Sequence, residues 1–281
     1  VHSYTEWLEN GKKCRIIYFS DMLDRIKNDP RDAITIYYKL DRISINTFFD
    51  LIRPVRKKII VVSGCSDYSI TDEMFRRKPH NIVKWYGENV ESPGSSLIPL
   101  PMGSLSSTWI GNSIEGCEIP CHADFKLVPE TGEPPVFRNL VFMCFSIETN
   151  QAHRGEVYRY LSDKEWVTNL CKAKTGTYLS DDIFMENVYS HHYVISPMGN
   201  GIDCGRTWMT LQLGCIPILP HHPSFEVFAE HLPILLYRDT NELTESYLRE
   251  RLEYFRGRKY SYDYLKTSYW KNRFEEDKIY A

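Results

Sequence analysis

Short apolar runs alternate with longer polar stretches along most of this 281-residue chain. β-Branched and aromatic residues fill positions 14–19, 33–38 and 59–62, and each run has about the length of a buried strand. The polar stretches between the runs are long enough for helices or irregular crossovers. Because parallel strands need such crossovers, the alternation predicts an α/β fold with parallel sheets.

The same alternation resumes in the second half of the chain after an interruption. Gly, Pro and acidic residues accumulate within residues 112–138, which predicts a linker or a surface excursion. A strand is then predicted over residues 140–145, a polar turn over 146–152 with a helix beyond it, and a further strand over 233–237. After about residue 242 the chain is charged, with apolar residues at helical spacing, so we expect a helical tail with one packing face.

Length and composition predict two domains. The chain is 42% hydrophobic and 14% aromatic, which is enough for two cores. We expect a first domain over residues 1–135, a second over 136–250 and a helical tail over 251–281. The net charge is −3 and the basic residues are scattered, which argues against a nucleic-acid partner.

The sequence also makes a prediction about location. It shows neither a positively charged start leading into an apolar stretch nor an apolar run of about 18 residues, so we expect no signal peptide and no membrane span. A soluble, cytoplasmic protein is predicted. The group Cys117, Cys121 and His122 has no second ligand pair at the usual zinc spacing, so no metal is predicted.

The most informative segment is VISPMGNGIDCGRTWMTLQLGCIPIL, residues 194–219. It predicts a strand over 194–196, a glycine-rich loop, a helix from about 203 to 213, a stop at Gly214 and a strand over 215–219. In such a unit the loop lies at the carboxyl edge of a parallel sheet. The new helix directs its unpaired amides there, so an anion is the expected ligand.

The loop residues specify that anion further. Gly199, Gly201 and Gly205 allow the backbone to approach a ligand, and Arg206 adds a fork of donors suited to phosphate oxygens. The glycine spacing misses the dinucleotide fingerprint by one residue, and no Walker sequence is present. A turn that needs positive φ angles is the alternative interpretation. The chemistry predicts a phosphate or diphosphate site.

This segment resembles the C-terminal signature of exostosin-like glycosyltransferases, in which SP-x-GNG-x-D-x-x-R-x-W-E precedes a leucine helix and G-x-IP. Four further landmarks occur in the family's order: residues 59–67, Trp85 with Asn89, residues 99–103 and residues 146–154. The chain has Met209 where the family has Glu, so one contact to the donor hydroxyls is in doubt. Either another group replaces it or the donor is held differently.

The resemblance implies a GT-B fold, with two Rossmann-like domains facing across a cleft and a C-terminal helix crossing back to the first domain. It implies a metal-independent glycosyltransferase without a cofactor, which moves a sugar from a UDP-sugar to a hydroxyl of an oligosaccharide or glycoprotein acceptor. Size and landmark order are similar to small viral xylosyltransferases of this family. Xylose is therefore the expected sugar, and a viral chain would act in the host cytoplasm.

The same resemblance assigns the donor to the C-terminal half. Arg206 and the amides after Asn200 are the first choice for the diphosphate, and Arg154 is the second cation, with an exposed helix Arg as the alternative. Asp203 is a sugar contact or an N-cap. The donor-binding set also includes Gly199, Gly201, Ser196, Thr207, Thr149, Asn150, Tyr178 and Tyr189. The two tyrosines are the candidates for contacting the nucleobase.

An inverting transfer requires a general base on the N-terminal side. Asp67 follows the strand predicted over 59–62 and is the first candidate, and Asp21 follows 14–19 and is the second. Helix capping or turn formation is the alternative role for either carboxylate. A non-catalytic module that binds nucleotide sugars or glycans also remains open, since a fold does not guarantee activity. A dehydrogenase is disfavoured by the glycine spacing.

Overall fold

The computed structural model describes residues 3–6, 15–18, 26–40, 44–64, 66–103 and 139–280. The strands within these ranges are β1 (Ser3–Glu6), β2 (Arg15–Tyr18), β3 (Ala33–Tyr38), β4 (Lys58–Ser63), β5 (Ile82–Gly87), β6 (Leu97–Pro99), β7 (Asn139–Met143), β8 (Val167–Asn169), β9 (His191–Ile195), β10 (Ile216–Pro220) and β11 (Leu235–Tyr237). The helices are α1 (Ile45–Ile52), α2 (Asp72–Arg77), α3 (Gln151–Leu161), α4 (Lys172–Thr175), α5 (Asp181–Tyr189), α6 (Gly205–Gln212), α7 (Pro223–Ala229), α8 (Glu245–Arg256) and α9 (Thr267–Tyr280).

The first compact unit contains a four-stranded parallel sheet in the order β3-β4-β5-β6. Its central strand β4 is buried over almost its whole length, as expected for a parallel strand covered on both faces. Helix α1 begins at Ser44, whose hydroxyl accepts a hydrogen bond from Thr47 N at 3.1 Å. Its apolar face carries Phe48 and Phe49, and the Phe48 ring stacks on Tyr38 at 4.2 Å.

Strand β2 corrects one prediction. The pattern at residues 14–19 indicates a strand of the parallel sheet, but β2 pairs antiparallel with β1 in a separate two-stranded sheet. Antiparallel strands need no helical crossover, so a nearby segment can pair with this run directly. The placement of Asp21 at the edge of the parallel sheet rested on that strand, and Asp21 itself lies outside the described residues.

The last helix, α9, belongs to the first unit rather than to the second. Its Trp270 and Phe274 are buried, and their rings lie 6.4 and 4.8 Å from that of Tyr86 on β5. Asp277 accepts hydrogen bonds from Lys84 Nζ at 2.5 Å and from the Tyr86 hydroxyl. A C-terminal helix that returns to the first domain is therefore confirmed.

The second unit contains a five-stranded parallel sheet in the order β11-β10-β9-β7-β8. In chain order this is 2-1-3-4-5, the arrangement of doubly wound flavodoxin-like sheets. Val141 and Met143 pack with α3 and α8 in one core cluster, while Phe142 packs with Val188 of α5 in another. Because neighbouring residues of a strand point to opposite faces, helices cover both faces of this sheet.

The predicted α/β fold with two Rossmann-like domains is confirmed. Gly214 has φ +75° just after α6, as the predicted glycine stop requires. The predicted boundary between residues 135 and 136 lies outside the described residues, and the tail divides between the units, with α8 in the second and α9 in the first. None of the described helices combines the length and hydropathy needed to cross a membrane.

Candidate functional site

The candidate site is the carboxyl edge of the second sheet between β7 and β9. The strand order reverses there, and ligands of open α/β sheets bind in the crevice at such a reversal. The loop after β7 leads into α3, and the loop after β9 leads into α6. Two helix N-termini therefore meet at one edge, which favours an anion.

The loop after β9 is fixed to α6 by buried polar groups. Ser196 Oγ lies 2.9 Å from Thr207 Oγ1 and 3.1 Å from Cys204 Sγ. The Asp203 carboxylate accepts hydrogen bonds from Cys204 N at 2.7 Å and from the indole N–H of Trp208 at 2.6 Å. These contacts give Ser196, Asp203 and Thr207 a role in holding the loop, and their predicted contacts with a donor stay untested.

Helix α6 begins without a side-chain cap, so its first turn keeps amides for a ligand. Arg206 lies in this turn. Its Nε is buried and has no hydrogen-bond partner among the described residues, and its Nη1 lies 3.8 Å from Cys204 Sγ. Asn200 is exposed on the loop that precedes the helix, and Gly201 is buried behind it. Arg206 thus brings a guanidinium and a helix terminus to the same place.

Arg154 joins the two loops. Its side chain is 6% exposed and donates to the carbonyl oxygens of Met198 at 2.8 Å, Ser146 at 2.9 Å and Pro197 at 3.5 Å. Ser146 follows β7, while Pro197 and Met198 follow β9. The alternative of an exposed helix Arg is wrong, because α3 buries this side chain. Three of its donors hold backbone, so its first role is to position the loops.

Gly199 and Asn150 complete this connection. A Cβ at Gly199 would stand 2.8 Å from Arg154 Nη2 and 3.5 Å from Thr149 Cγ2, so any larger residue would push against the Arg154 guanidinium. Asn150 Nδ2 donates to Gly199 O at 3.0 Å, and Asn150 Oδ1 accepts from His153 N at 3.2 Å. Asn150 therefore caps α3 and fixes the loop after β9 at once.

The electrostatics of the edge favour an anion. The Cζ atoms of Arg154 and Arg206 lie 5.8 and 6.0 Å from the centre of the Phe145 ring. Burial and the charge of Arg206 both lower the pKa of Arg154. No carboxylate of the described residues lies within 4.0 Å of either guanidinium. Two cations beside one ring, without a carboxylate partner among the described residues, favour a multivalent anion at this edge.

The two predicted base-binding tyrosines lie at opposite edges of the sheet. Tyr178 is 68% exposed, and its hydroxyl accepts a hydrogen bond from Ser146 Oγ at 3.3 Å. That bond and the charge of Lys172, whose Nζ is 4.4 Å from the ring centre, lower the pKa of Tyr178. Tyr189 ends α5, directly before β9, and so lies at the amino edge. Only Tyr178 is brought to the β7/β9 loops.

His153 is a residue of this edge that the sequence prediction omitted. It lies in the first turn of α3, and its ring stacks on Tyr237 at the end of β11, with centres 6.5 Å apart and planes 2° apart. Its Nδ1 is buried and has no partner in the described part of the chain. Burial lowers the pKa of His153, so the imidazole is neutral at physiological pH. Its position beside Arg154 was the available signal.

Two carboxyl groups follow neighbouring strands of the first sheet. Asp67 is exposed in the loop after β4, and Glu88, which is 2% exposed, directly follows β5. Asn89 has φ +52°, an uncommon value for a residue with a side chain, and its Nδ2 donates to Ser66 O at 2.8 Å. The loop of Asp67 is thereby tied to the next strand end. The sequence prediction missed Glu88, because the strand over 82–87 was not identified.

Within the described ranges, no three His, Cys, Asp or Glu side chains lie close enough together to hold a metal ion. Cys117, Cys121 and His122 lie outside these ranges. The histidines at 191 and 192 begin β9, and His191 Nε2 lies 2.7 Å from Thr168 Oγ1.

Comparison with known proteins finds matches among solved structures. No family model matches the chain, and no curated protein matches it in sequence. Among solved structures, the spinosyn rhamnosyltransferase SpnG is similar with a TM-score of 0.33 and 9% sequence identity. The alignment covers 86% of this chain and 73% of that chain. The resemblance to exostosin-like enzymes stays a prediction.

Proposed function

We propose that this chain is a glycosyltransferase that binds the diphosphate of a nucleotide sugar at the carboxyl edge between β7 and β9. One observation carries the proposal: two guanidiniums without a carboxylate partner meet two helix N-termini there. Arg206 and the amides of the first turn of α6 contact the diphosphate. Arg154 holds both loops in place and adds a second positive charge to the site.

This arrangement suits the chemistry of glycosyl transfer. As the bond between the anomeric carbon and the diphosphate breaks, negative charge develops on the leaving oxygen. Fixed cations and amides stabilise that charge without reorganising, and in our proposal they do so without a metal. An acceptor hydroxyl attacks the anomeric carbon, and a general base takes its proton. We assign the base to Asp67, with inversion at the anomeric carbon.

The donor contacts follow from the same placement. Thr149 and Asn200 are exposed beside the two loops and can reach donor hydroxyls or phosphate oxygens. We propose that the nucleobase, uracil by the resemblance, stacks on Tyr178, whereas the position of Tyr189 at the other edge offers no support for its assignment. Xylose remains the proposed sugar. It lacks a hydroxymethyl group at C6, which is compatible with Met209 in place of a carboxylate.

A second candidate function is a non-catalytic module that binds a nucleotide sugar or a glycan. Met209 supports it, because this residue of α6 cannot bind donor hydroxyls as a Glu would. Such a module would keep Arg206 and the helix termini for binding. It would not depend on Asp67.

A ligand screen followed by a transfer assay tests the proposal. We expect UDP, or another nucleoside diphosphate with its sugar, to raise the thermal midpoint of the full chain equally with and without EDTA, because a bound ligand stabilises the folded state. UDP-xylose should then be hydrolysed or transferred to a glycan. Binding without turnover for every sugar would support the module instead. Failure of all nucleotides to shift the midpoint of the wild type would refute both.

A further inference from the structure

Helix α8 carries basic residues that the proposed function does not use. We propose that Arg251, Tyr254, Arg258 and Tyr260, here called the α8 basic face, form a second anion site, which binds a phosphate group. This proposal does not rest on the proposed function. It concerns a different helix and a different edge of the second sheet.

Two guanidiniums surround one exposed ring on this face. Arg251 Cζ lies 3.9 Å from the centre of the Tyr254 ring, and Arg258 Cζ lies 5.1 Å from it. Arg258 Nη1 also donates to the Tyr254 hydroxyl. Arg251 and Tyr254 lie three positions apart on one face of α8, and Arg258, just beyond the end of the helix, reaches the same ring. Tyr254 is 42% exposed, and a ligand can therefore reach them.

Donors on this face lack acceptors. Arg251 Nε and the Tyr260 hydroxyl oxygen are both buried and have no hydrogen-bond partner among the described residues. Burial raises the pKa of Tyr260, while the charges of Arg258 and Arg251 act in the opposite direction. The Tyr260 ring lies 6.3 Å from that of Phe255, and Arg251 Cζ lies 5.5 Å from the Phe255 ring, which places Tyr260 on the same side as Arg251. An unsatisfied buried donor destabilises the folded chain, and an oxyanion bound to it would remove that cost.

Two other arginines of α8 form ion pairs with carboxylates of the same helix. Arg249 pairs with Glu245 at 2.8 Å, and Arg256 pairs with Glu253 at 2.6 Å. Within the part of the chain that the structure describes, Arg251 makes no ion pair. Its neighbour in sequence, Glu250, lies on another side of the helix, since adjacent residues do not face each other.

The helix dipole alone does not account for this face. The C-terminal end of a helix attracts cations, which explains why Arg256 and Arg258 collect there. Arg251 lies more than a turn before that end, where the effect has faded. The dipole also leaves the buried Nε of Arg251 and the Tyr260 hydroxyl without acceptors.

The chemistry of the donors specifies the ligand. Guanidinium groups have no acceptor, and a phenol hydroxyl near two cations acts as a donor, so the ligand must be rich in oxygen and negatively charged. A phosphate dianion neutralises both guanidiniums. The face lies away from the donor edge, because α8 begins after the carboxyl end of β11 and Arg251 and Arg258 lie towards or beyond its other end.

Equilibrium dialysis of the full chain against radiolabelled inorganic phosphate at low ionic strength tests this inference. We expect the double variant Arg251→Gln, Arg258→Gln to bind one phosphate fewer per chain than the wild type, with the lost site at least about 10-fold weaker. Arg249→Gln is the matched control, since it removes a cation that already has a partner. Arg206→Gln should leave binding at the α8 basic face intact, and any further phosphate that it removes belongs to the proposed donor site.

A second assay identifies the source of the phosphate, and other outcomes would overturn the proposal. Cosedimentation with phosphatidylcholine vesicles containing phosphatidic acid, but not with pure phosphatidylcholine, would identify a lipid headgroup as the source if the double variant loses it. Dialysis binding without cosedimentation would identify free phosphate. Unchanged stoichiometry and affinity in the folded double variant would overturn the site, while loss of binding only in Arg206→Gln would leave the proposed function untouched. Tyr260→Phe, which keeps the ring, should weaken binding without unfolding the chain.

Discussion

The loops at the carboxyl edges of the two parallel sheets carry opposite chemistry. The loops after β7 and β9 bring together the guanidiniums of Arg154 and Arg206. The strand ends after β4 and β5 instead carry the carboxyl groups of Asp67 and Glu88. Both sheets are parallel, so in each the strands determine where the loops lie. The residues of those loops determine the charge of the edge.

The two edges also differ in how their charged groups are held. Arg154 is buried and donates to three carbonyl oxygens of two loops, so the cationic edge is fixed before any ligand arrives. Asp67 is exposed, and its loop is tied to the next strand by Asn89. A fixed cationic edge suits a leaving group, and an exposed carboxylate suits an acceptor that must enter and depart.

The largest expected effect is on the acidic edge. Asp67→Asn should lower sugar transfer at least about 100-fold, the typical loss when a general base is removed, while donor affinity stays the same. Steady-state transfer and nucleotide binding, measured on the same sample, check this. Asp72→Asn, which changes an exposed carboxylate at the start of α2, is the control. Normal turnover in Asp67→Asn would move the base elsewhere, with Glu88 the next residue to change.

On the cationic edge, Arg206→Gln should weaken binding of a nucleoside diphosphate about 10- to 100-fold. The reason is that a charge-assisted hydrogen bond contributes about 1.5–3 kcal/mol. Isothermal titration calorimetry measures the change. Arg159→Gln, on the exposed side of α3, should bind as the wild type does. Equal affinity in the two variants would refute the role of Arg206.

Gly199→Ala in the second unit and Gly94→Ala in the first test whether tight packing around a loop glycine matters for nucleotide binding. The new Cβ would stand 2.8 Å from Arg154 Nη2, and the guanidinium cannot retreat without disturbing its hydrogen bonds to the carbonyl oxygens of Pro197 and Met198. We expect the loops to separate and nucleotide affinity to fall about 10-fold. In the first sheet, Gly94→Ala meets nothing within 4 Å and should change neither binding nor stability. If both alanines are neutral, the close approach of the loops is not needed for binding.

The smallest expected effect concerns how α9 is held on β5. Asp277→Asn removes the ion pair with Lys84 and should destabilise this contact by about 1 kcal/mol. Hydrogen exchange should then accelerate in β5 and α9 but not in β7 or β9. Glu275→Gln removes the exposed partner of the ion pair with Lys278 within α9 and serves as the control. Uniform acceleration in both units would show that α9 stabilises more than the first unit.

The sequence pattern located the loop between β9 and α6 because its signals are local. The glycines, Arg206 and the helix that follows lie within 26 consecutive residues, and a strand, a loop and a helix N-terminus in that order have one plausible arrangement. The apolar spacing in the tail likewise predicted the buried faces of α8 and α9. Short-range patterns of this kind carry most of the fold.

Contacts between distant residues could not be predicted in this way. Arg154 donates to Met198 O, 44 positions along the chain, and no pattern around position 154 distinguishes such a buried side chain from an exposed one. Tyr189 is close in sequence to the signature strand, but α5 places it at the opposite edge. The pairing of β2 with β1 depends on which partner is near in space, and sequence periodicity does not contain that information.

The return of α9 to the first unit has a consequence for synthesis of the chain. Strand β6 leaves the ribosome well before α9, and at about 5–20 residues per second the interval is on the order of ten seconds. The second unit, whose described residues run without interruption from Asn139 to Lys266, is synthesised entirely within that interval. The contacts of Tyr86 and Lys84 with α9 form only afterwards. The unit that begins first is therefore completed last, and until then the face of β5 that α9 covers is available to chaperones.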